Sequence, residues 1–263
     1  MLKKALLITS LALASACATV PITGRRTLSL VSDSEMNAMS FQQYRDVLAK
    51  SRLSPDAAQT AMVRRVGERI QHAVERYFSQ QGQSSQLEGY QWEFNLIDDP
   101  KTVNAWCMPG GKVAVYTGIL PLTRDEGGLA VVLGHEISHA VAKHGSERMS
   151  DALVAQLGGA GLQAALSKDP AQTNSLFNQA IGLGEQGLLL KFSRRQESEA
   201  DHLGLIFMAM AGYDPDLALP FWQRMAAQSQ NATPAFLSDH PSDAQRIADI
   251  ERLLPEARKY YKK

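Results

Sequence analysis

The stretch LGHEISHAVAKHG, residues 133–145, contains the pattern His-Glu-x-x-His at His135, Glu136 and His139. Four residues advance about 400° on an α-helix, so both imidazoles lie on one side and can reach one metal ion. Glu136 lies about 100° away, where its carboxylate can hold a water molecule without binding the metal. The apolar LAVVL segment, residues 129–133, indicates a buried helix in which unpaired polar side chains would be costly. We therefore favour a zinc site with a carboxylate base over a chance match.

His144 is the third histidine of this stretch, and it does not fit the metal face. It lies nine residues after His135, about 900° round a continuous helix and close to its opposite side. The longer histidine signature requires a glycine that ends the helix and a third histidine ten positions after the first. Here position 142 is Ala and position 145 is Gly. We expect His144 to have a polar or capping role near the end of the helix.

A third ligand is expected from RRQESEADHLG, which places Glu197, Glu199 and Asp201 on one predicted helix. Glu197 and Asp201 are four residues apart and share a face, while Glu199 points away. One of the two carboxylates can bind the metal, and the other can accept the remaining N–H of a histidine ligand. The alternative is an exposed acidic face. The apolar sequence LGLIFMAMA follows on the same predicted helix, and so many apolar residues argue against a helix that is exposed on all sides.

Composition and charge set broad limits on the chain. It has 263 residues, a formal net charge of zero, 44% hydrophobic residues and 21% charged residues. These values are ordinary for a globular protein with a large core. A neutral chain gives no reason to expect nucleic acid as a partner.

The N-terminus has the order of a secretory signal: MLKK, then an apolar stretch at residues 5–14, then LASAC ending at Cys17. The pattern resembles a bacterial lipoprotein signal, in which Cys17 is lipidated; ordinary cleavage near ASA is the alternative. By the same resemblance, Ala18 indicates the outer membrane, and we expect a lipid-anchored protein of the bacterial periplasm. The domain prediction is a signal peptide at 1–16, a tether at 17–32 and one domain at 33–263.

Periodicity and caps predict a mostly helical domain. Strands are predicted at YQWEFNLI and on both sides of PGG, which gives a small antiparallel sheet near the middle of the chain. Cys107, just before that turn, is either a buried inert thiol or a thiolate that switches the metal site. The helices are predicted at residues 32–50, 54–78, 125–145, 195–211, 214–228 and 244–261, with two more between 150 and 190.

Three separated motifs in this order resemble the HtpX and CAAX-prenyl-protease type of zinc metallopeptidase: NAWCMPGGKVAVYTGIL, GHEISHAVAKH and SRRQESEAD. The resemblance covers roughly residues 30–255 and is similar to the periplasmic lipoprotein branch, related to the mitochondrial Oma peptidase and to bacterial outer-membrane quality-control proteases. It implies an α+β, mostly α, zincin-like fold with a long active-site helix. It also implies zinc ligands His135, His139 and Glu197, a catalytic Glu136, and Asp201 as the partner of a ligand.

The resemblance gives meaning to two further stretches. It implies that KVAVYTG is an edge strand beside the cleft, where an extended substrate pairs with Lys112, Val113, Ala114, Val115 and Tyr116. In DHPSDAQRI it implies a catalytic role for His240, which in relatives can occupy the open metal position and hold the enzyme inactive. It implies that Arg246 stabilises local charge. The alternatives are an ordinary sheet strand and a capping loop histidine.

The predicted function is a zinc metalloendopeptidase, with one Zn²⁺ per chain, that cleaves unfolded or misassembled cell-envelope proteins. The predicted partners are extended polypeptides and outer-membrane assembly proteins, with membrane contact through the N-terminal lipid alone. A second hypothesis is a chaperone-like or scaffold lipoprotein whose zinc site is self-inhibited. A structural zinc protein is a third and weaker reading, because structural sites prefer four closed Cys or His ligands.

Overall fold

The computed structural model describes residues 17–20, 23–157, 170–181, 192–228, 236, 240 and 244–262. Within these ranges the fold is mostly helical, with one hairpin and one three-stranded sheet, which confirms the predicted fold class. The helices are α1 Asp33–Lys50, α2 Ala57–Gln80, α3 Leu120–Thr123, α4 Glu126–Val141, α5 His144–Leu157, α6 Pro170–Ala180, α7 Arg194–Met210, α8 Ala218–Gln228 and α9 Ala244–Ala257. The strands are β1 Cys17–Thr19, β2 Arg26–Leu28, β3 Glu93–Ile97, β4 Ala105–Met108 and β5 Lys112–Tyr116.

The three-stranded sheet has the order β3-β5-β4. Strand β5 pairs parallel with β3 and antiparallel with β4, so the sheet is mixed and the prediction of an antiparallel sheet is wrong. The PGG turn does join two antiparallel strands as predicted. Strand β5 is the central strand, however, and its main chain is paired on both sides. Lys112–Tyr116 therefore is not the predicted edge strand, and β4 lies at the edge instead.

Helix α2 contributes the apolar face that supports α4 and the sheet. Asp56 caps its N-terminus, accepting hydrogen bonds from the backbone of Ala58 and Gln59. Its fully buried face contains Val63, Val66, Ile70 and Val74.

Helices α4 and α7 cross in backbone contact at two glycines. A Cβ added at Gly134 would lie 2.9 Å from the carbonyl oxygen of Gly204. One added at Gly204 would lie 2.9 Å from the amide nitrogen of His135. Both separations are shorter than a carbon side chain tolerates, so only glycine allows this crossing. The contact places the start of α7 directly against the histidine face of α4.

The predicted helix over residues 125–145 is two helices. Helix α4 ends at Val141, Lys143 adopts a left-handed φ of 59°, and α5 begins at His144. Left-handed φ interrupts a right-handed helix and redirects the chain. The direction of His144 therefore does not follow from a continuous 100° rotation per residue.

The predicted tether is part of the folded domain. Strands β1 and β2 form an antiparallel hairpin, and the Val20 side chain is 1% exposed in the main core. The backbone N–H of Leu30 donates to Ser150 Oγ at 2.9 Å, which ties the segment to α5. Residues 1–16 lie outside the described residues, and lipidation of Cys17 stays a prediction.

A search of the described helices for membrane-spanning segments found none that is both long and apolar enough to cross a bilayer.

The glycine crossing gives the first testable prediction. Gly134→Ala forces α4 and α7 apart, and we expect the free energy of unfolding to fall by about 1–3 kcal/mol, as overpacking does. Urea unfolding of the purified protein measures this change. Gly145→Ala is the matched control, because its added Cβ meets its nearest atom at an ordinary 3.5 Å. Equal stability of the two variants would contradict the close crossing.

Candidate metal centre and active site

Four buried side chains converge where α4, α7 and the segment before α9 meet. His135 and His139 come from α4, Glu197 comes from the first turn of α7, and the fourth is His240. Each offers one ligand atom, and these atoms all lie within 4.8 Å of one another. The four side chains are between 2% and 7% exposed. The structure thus brings the three predicted metal ligands together and adds His240 to them.

The spacing between these atoms matches a tetrahedral ion. His135 Nε2 lies 3.0 Å from His139 Nε2 and 3.1 Å from His240 Nδ1. Glu197 Oε1 lies 2.9 Å from His240 Nδ1 and 3.4 Å from His139 Nε2. Ligands bound tetrahedrally at about 2.0–2.1 Å are separated by about 3.3 Å from one another. The cluster therefore has the dimensions of a zinc site.

Asp201 fixes the orientation of His135 from behind. His135 Nδ1 lies 2.9 Å from Asp201 Oδ1, and Arg246 binds the same carboxylate through Nη2 at 2.7 Å and Nε at 2.9 Å. Burial raises the pKa of Asp201, but the Arg246 charge and the His135 hydrogen bond outweigh it, so the pKa is lowered. The ionised carboxylate accepts the Nδ1–H of His135, which leaves Nε2 with a free lone pair.

His144 orients the second ligand in a similar way. Its Nδ1 lies 3.0 Å from His139 Nδ1, and its Nε2 lies 3.1 Å from Glu199 Oε2. His144 is fully buried and its ring nitrogens contact His139 and Glu199, so of the two predicted roles it has the polar one rather than capping. The physical reason is the break at Lys143, which turns His144 back toward α4. The cluster that could hold a metal ion contains the other four residues and not His144.

The facing histidine nitrogens are placed to hold a cation. Burial lowers the pKa of His139 well below its usual range, which favours the neutral ring. With each Nδ1–H directed outward, the Nε2 lone pairs of His135 and His139 face each other across 3.0 Å. A positive ion between the two nitrogens, or a proton shared by them, offsets the repulsion of two lone pairs at this distance. Imidazole nitrogens with a carboxylate are ligands that suit zinc, so these residues fit the predicted cofactor.

Glu136 lies beside the cluster without joining it. Its Oε1 is 3.4 Å from His240 Nε2, and the side chain is 3% exposed. The helix thus separates the carboxylate from the ligands as its 100° offset predicts. Burial raises the pKa of the Cys107 thiol well above its usual range, and the charge of Glu136 raises it further.

Arg246 is held by carboxylates rather than directed at an open cleft. Besides Asp201, its Nη1 lies 3.1 Å from Glu197 Oε2, and its guanidinium stacks 3.4 Å from the ring centroid of Trp222. These contacts hold two acidic groups of α7 in place. A direct catalytic role for Arg246 stays a prediction, as does that of His240.

Three site residues were missed from the sequence. Glu199 was expected to point away from the metal face, and it does, but it is buried and bound to His144 and Arg25. Arg25 lies in the segment assigned to the tether, and no spacing connects it with α7. Trp222 lies on α8 and carries no polar pattern. Long-range packing supplies these three contacts, and local periodicity contains no signal for them.

A metal-binding zincin-like site on a mostly helical fold defines the class, a metallopeptidase. The chain belongs to peptidase family M48, whose family model matches residues 65–254. This membership confirms the predicted zinc metallopeptidase class and agrees with a cofactor of one zinc ion bound at the His/Glu cluster.

Curated relatives fall into two groups. The chain is 38% identical over 242 residues to mitochondrial metalloendopeptidase OMA1 of Schizosaccharomyces pombe, covering 90% of this chain and 66% of the relative. It is 31% identical to the human mitochondrial OMA1 over 246 residues, 91% of this chain and 46% of the relative. A putative β-barrel assembly-enhancing protease of Vibrio cholerae is 32% identical over 164 residues, 59% of this chain and 33% of the relative. The chain thus spans two-thirds or less of these relatives.

These relatives correct the predicted location. We expected a lipid-anchored protein of the bacterial periplasm at the outer membrane. The relatives matched over about nine-tenths of the chain are named mitochondrial, and the bacterial protease is matched over 59% of it. The predicted location is therefore contradicted; it rested on the N-terminal signal pattern and on the resemblance to the periplasmic lipoprotein branch.

The Asp201–His135 contact gives the second prediction. Asp201→Asn removes the charge that fixes the His135 tautomer, and we expect the zinc dissociation constant to rise about 10–100-fold. Competition with a chromophoric chelator measures this constant. Asp216→Asn is the control, because Asp216 is an exposed acid that is paired with Arg258 and is not a member of the cluster. Unchanged affinity in Asp201→Asn would remove Asp201 from the site.

Proposed function

We propose that this chain is a zinc-dependent endopeptidase that hydrolyses peptide bonds in unfolded or misassembled polypeptides. The observation that carries the proposal is the convergence of His135, His139 and Glu197 with Glu136 beside them but outside the ligand set. Two histidines, a carboxylate ligand and a separate carboxylate base are the parts of a hydrolytic zinc site.

His135, His139 and Glu197 hold the metal in this proposal. Zinc, when bound, polarises the scissile carbonyl and lowers the pKa of a water molecule. The Glu136 carboxylate accepts a proton from the attacking water and later donates it to the leaving amine. Asp201 and Arg246 keep His135 and Glu197 in place while this happens. Burial of the whole cluster excludes bulk water, which strengthens each of these electrostatic contacts.

In this proposal an extended substrate pairs with β4 rather than with β5. The main chain of β5 is already bonded on both sides, whereas β4 pairs with β5 on one side and packs beside α4. An extended polypeptide added to Ala105–Met108 would pass the metal cluster and bind through backbone hydrogen bonds. Recognition of this kind needs an unfolded segment and tolerates many sequences, which supports the proposed substrate class.

The feature that defines the substrate is its unfolded conformation, not the compartment in which it lies. The names of the relatives refer to mitochondria and to β-barrel assembly. Assembling membrane proteins are accordingly a substrate class to test, together with the machinery that assembles them.

A second candidate function is a scaffold or chaperone-like protein with a closed zinc site. The position of His240 favours it, because Nδ1 lies 2.9–3.1 Å from two other ligand atoms and completes a set of four. Four protein ligands fill a tetrahedral ion and leave no place for substrate. On the endopeptidase proposal this state is a resting one, which opens when His240 moves away.

The Glu136 carboxylate gives the third prediction. Glu136→Gln should lower the rate of casein cleavage by about 10²–10⁴-fold, because the amide cannot accept the proton of water. Zinc content, measured on the same preparation, should stay at one ion per chain. Cleavage at the wild-type rate by this variant would contradict the role of Glu136.

His240 gives the fourth prediction. Removing the fourth ligand in His240→Ala should raise casein cleavage above the wild-type rate. His202→Ala is the matched control, because His202 pairs with Glu256 outside the cluster at 2.9 Å. If neither the wild type nor His240→Ala cleaves any unfolded substrate with zinc bound, the scaffold function replaces the endopeptidase.

A further inference from the structure

We propose that Arg25, Glu199 and His144 form a hydrogen-bonded chain that fixes the orientation and tautomer of the metal ligand His139. The chain begins in the N-terminal segment before β2 and ends at the metal cluster. The inference rests on His139 binding the metal, and it assigns Arg25 as a positioning residue that touches neither metal nor substrate.

The first link sets the direction of every later hydrogen bond. Arg25 Nε lies 2.7 Å from Glu199 Oε1, and its Nη2 lies 2.8 Å from Glu199 Oε2. A guanidinium has five N–H donors and no acceptor, so both carboxylate oxygens of Glu199 accept. Glu199 is thereby held as an ionised acceptor in a buried place.

The direction then passes through His144 to the metal ligand. Because Glu199 Oε2 accepts, His144 Nε2 at 3.1 Å is the donor. In a neutral imidazole the other nitrogen is an acceptor, so His144 Nδ1 accepts from His139 Nδ1 at 3.0 Å. His139 consequently carries its proton on Nδ1 and directs the Nε2 lone pair to the cluster. A reversed chain would place the proton on the ligand nitrogen.

Arg25 is itself held rigidly, which gives the chain a fixed start. Its Nη1 and Nη2 lie 2.6 Å and 2.8 Å from the two carboxylate oxygens of Glu147 on α5. Gln196 on α7 donates to the same Glu147 carboxylate at 2.8 Å. The Arg25 side chain is 13% exposed, so little water competes for these bonds. One arginine thus joins the N-terminal segment, α5 and α7 behind the metal.

The two helical ligands are supported in parallel ways. His135 leads to Asp201 and Arg246, and His139 leads through His144 to Glu199 and Arg25. Asp201 and Glu199 are two residues apart on α7, on different sides of the helix. Each ligand therefore has its own carboxylate and arginine, and His144 fills the extra distance on the second side.

The arginine end of the chain is tested by metal affinity. Arg25→Gln removes the paired donors, and we expect the zinc dissociation constant to rise roughly 10-fold or more. Arg25→Lys keeps the charge but loses the bidentate grip, and a smaller rise is expected. Arg26→Gln is the matched control: Arg26 is the exposed neighbour, and its variant should keep the wild-type constant.

The histidine link is tested by a conservative pair. His144→Asn keeps an acceptor for the His139 Nδ1–H, whereas His144→Leu keeps none. We expect affinity for zinc to fall in the order wild type, Asn, Leu, with a shifted visible absorption spectrum of the Co²⁺-substituted Leu variant. A purely structural role would lower the unfolding midpoint of the metal-free protein and leave the dissociation constant and the Co²⁺ spectrum unchanged.

The outcomes separate this inference from the proposed function. Wild-type protein should bind one zinc ion, and His139→Ala should lose it; failure of that pair refutes the metal site itself. If that pair behaves as expected but Arg25→Lys, Arg25→Gln and His144→Leu retain wild-type zinc affinity, the positioning chain is refuted. Casein cleavage by those variants then remains a test of the peptidase alone.

Discussion

The backbone contact between Gly134 and Gly204 is the constraint on which the site depends. Helices α4 and α7 carry five of the residues around the metal, and their separation is set where neither has a side chain. Ligand atoms of a tetrahedral zinc must stand about 3.3 Å apart, so a helix displaced by the thickness of one methyl group would lose Glu197. The buried residues that flank the crossing, Leu133 and Leu203 among them, hold the two helices at this distance.

A second constraint follows from burying so much charge at one crossing. Glu197, Glu199 and Asp201 lie within five residues of one helix and all are less than 8% exposed. Isolated carboxylates would be very unfavourable in such a place, and each here has a cationic or metal partner. Arg246 serves Asp201 and Glu197 from one side, and Arg25 serves Glu199 from the other. The arginines are thus part of the reason that the acidic helix can be buried at all.

What could be predicted from the sequence was what one helix determines by itself. The i, i+4 spacing placed His135 with His139, and Glu197 with Asp201, because helical geometry is independent of distant residues. His144 was misplaced because the chain turns at Lys143 with a left-handed φ, a conformation usually marked in the sequence by glycine. The role of Arg25 and the central position of β5 could not be predicted, because both arise from contacts between residues far apart in the chain. Parallel pairing of β3 with β5 leaves no local mark, unlike the PGG turn between β4 and β5.

His240 links the metal to the catalytic base through one side chain. Its Nδ1 stands among the ligand atoms while its Nε2 faces Glu136 at 3.4 Å. On the proposed function, movement of this ring would free a coordination position and the carboxylate in a single step. The same movement uncovers Glu197, which loses a 2.9 Å partner. A peptide carbonyl entering along β4 could take both places, since its oxygen suits the metal and its amide nitrogen faces the base. His240 and the substrate would thus compete for the same two contacts, one at the metal and one at Glu136. A closed cluster is compatible with a peptidase for this reason.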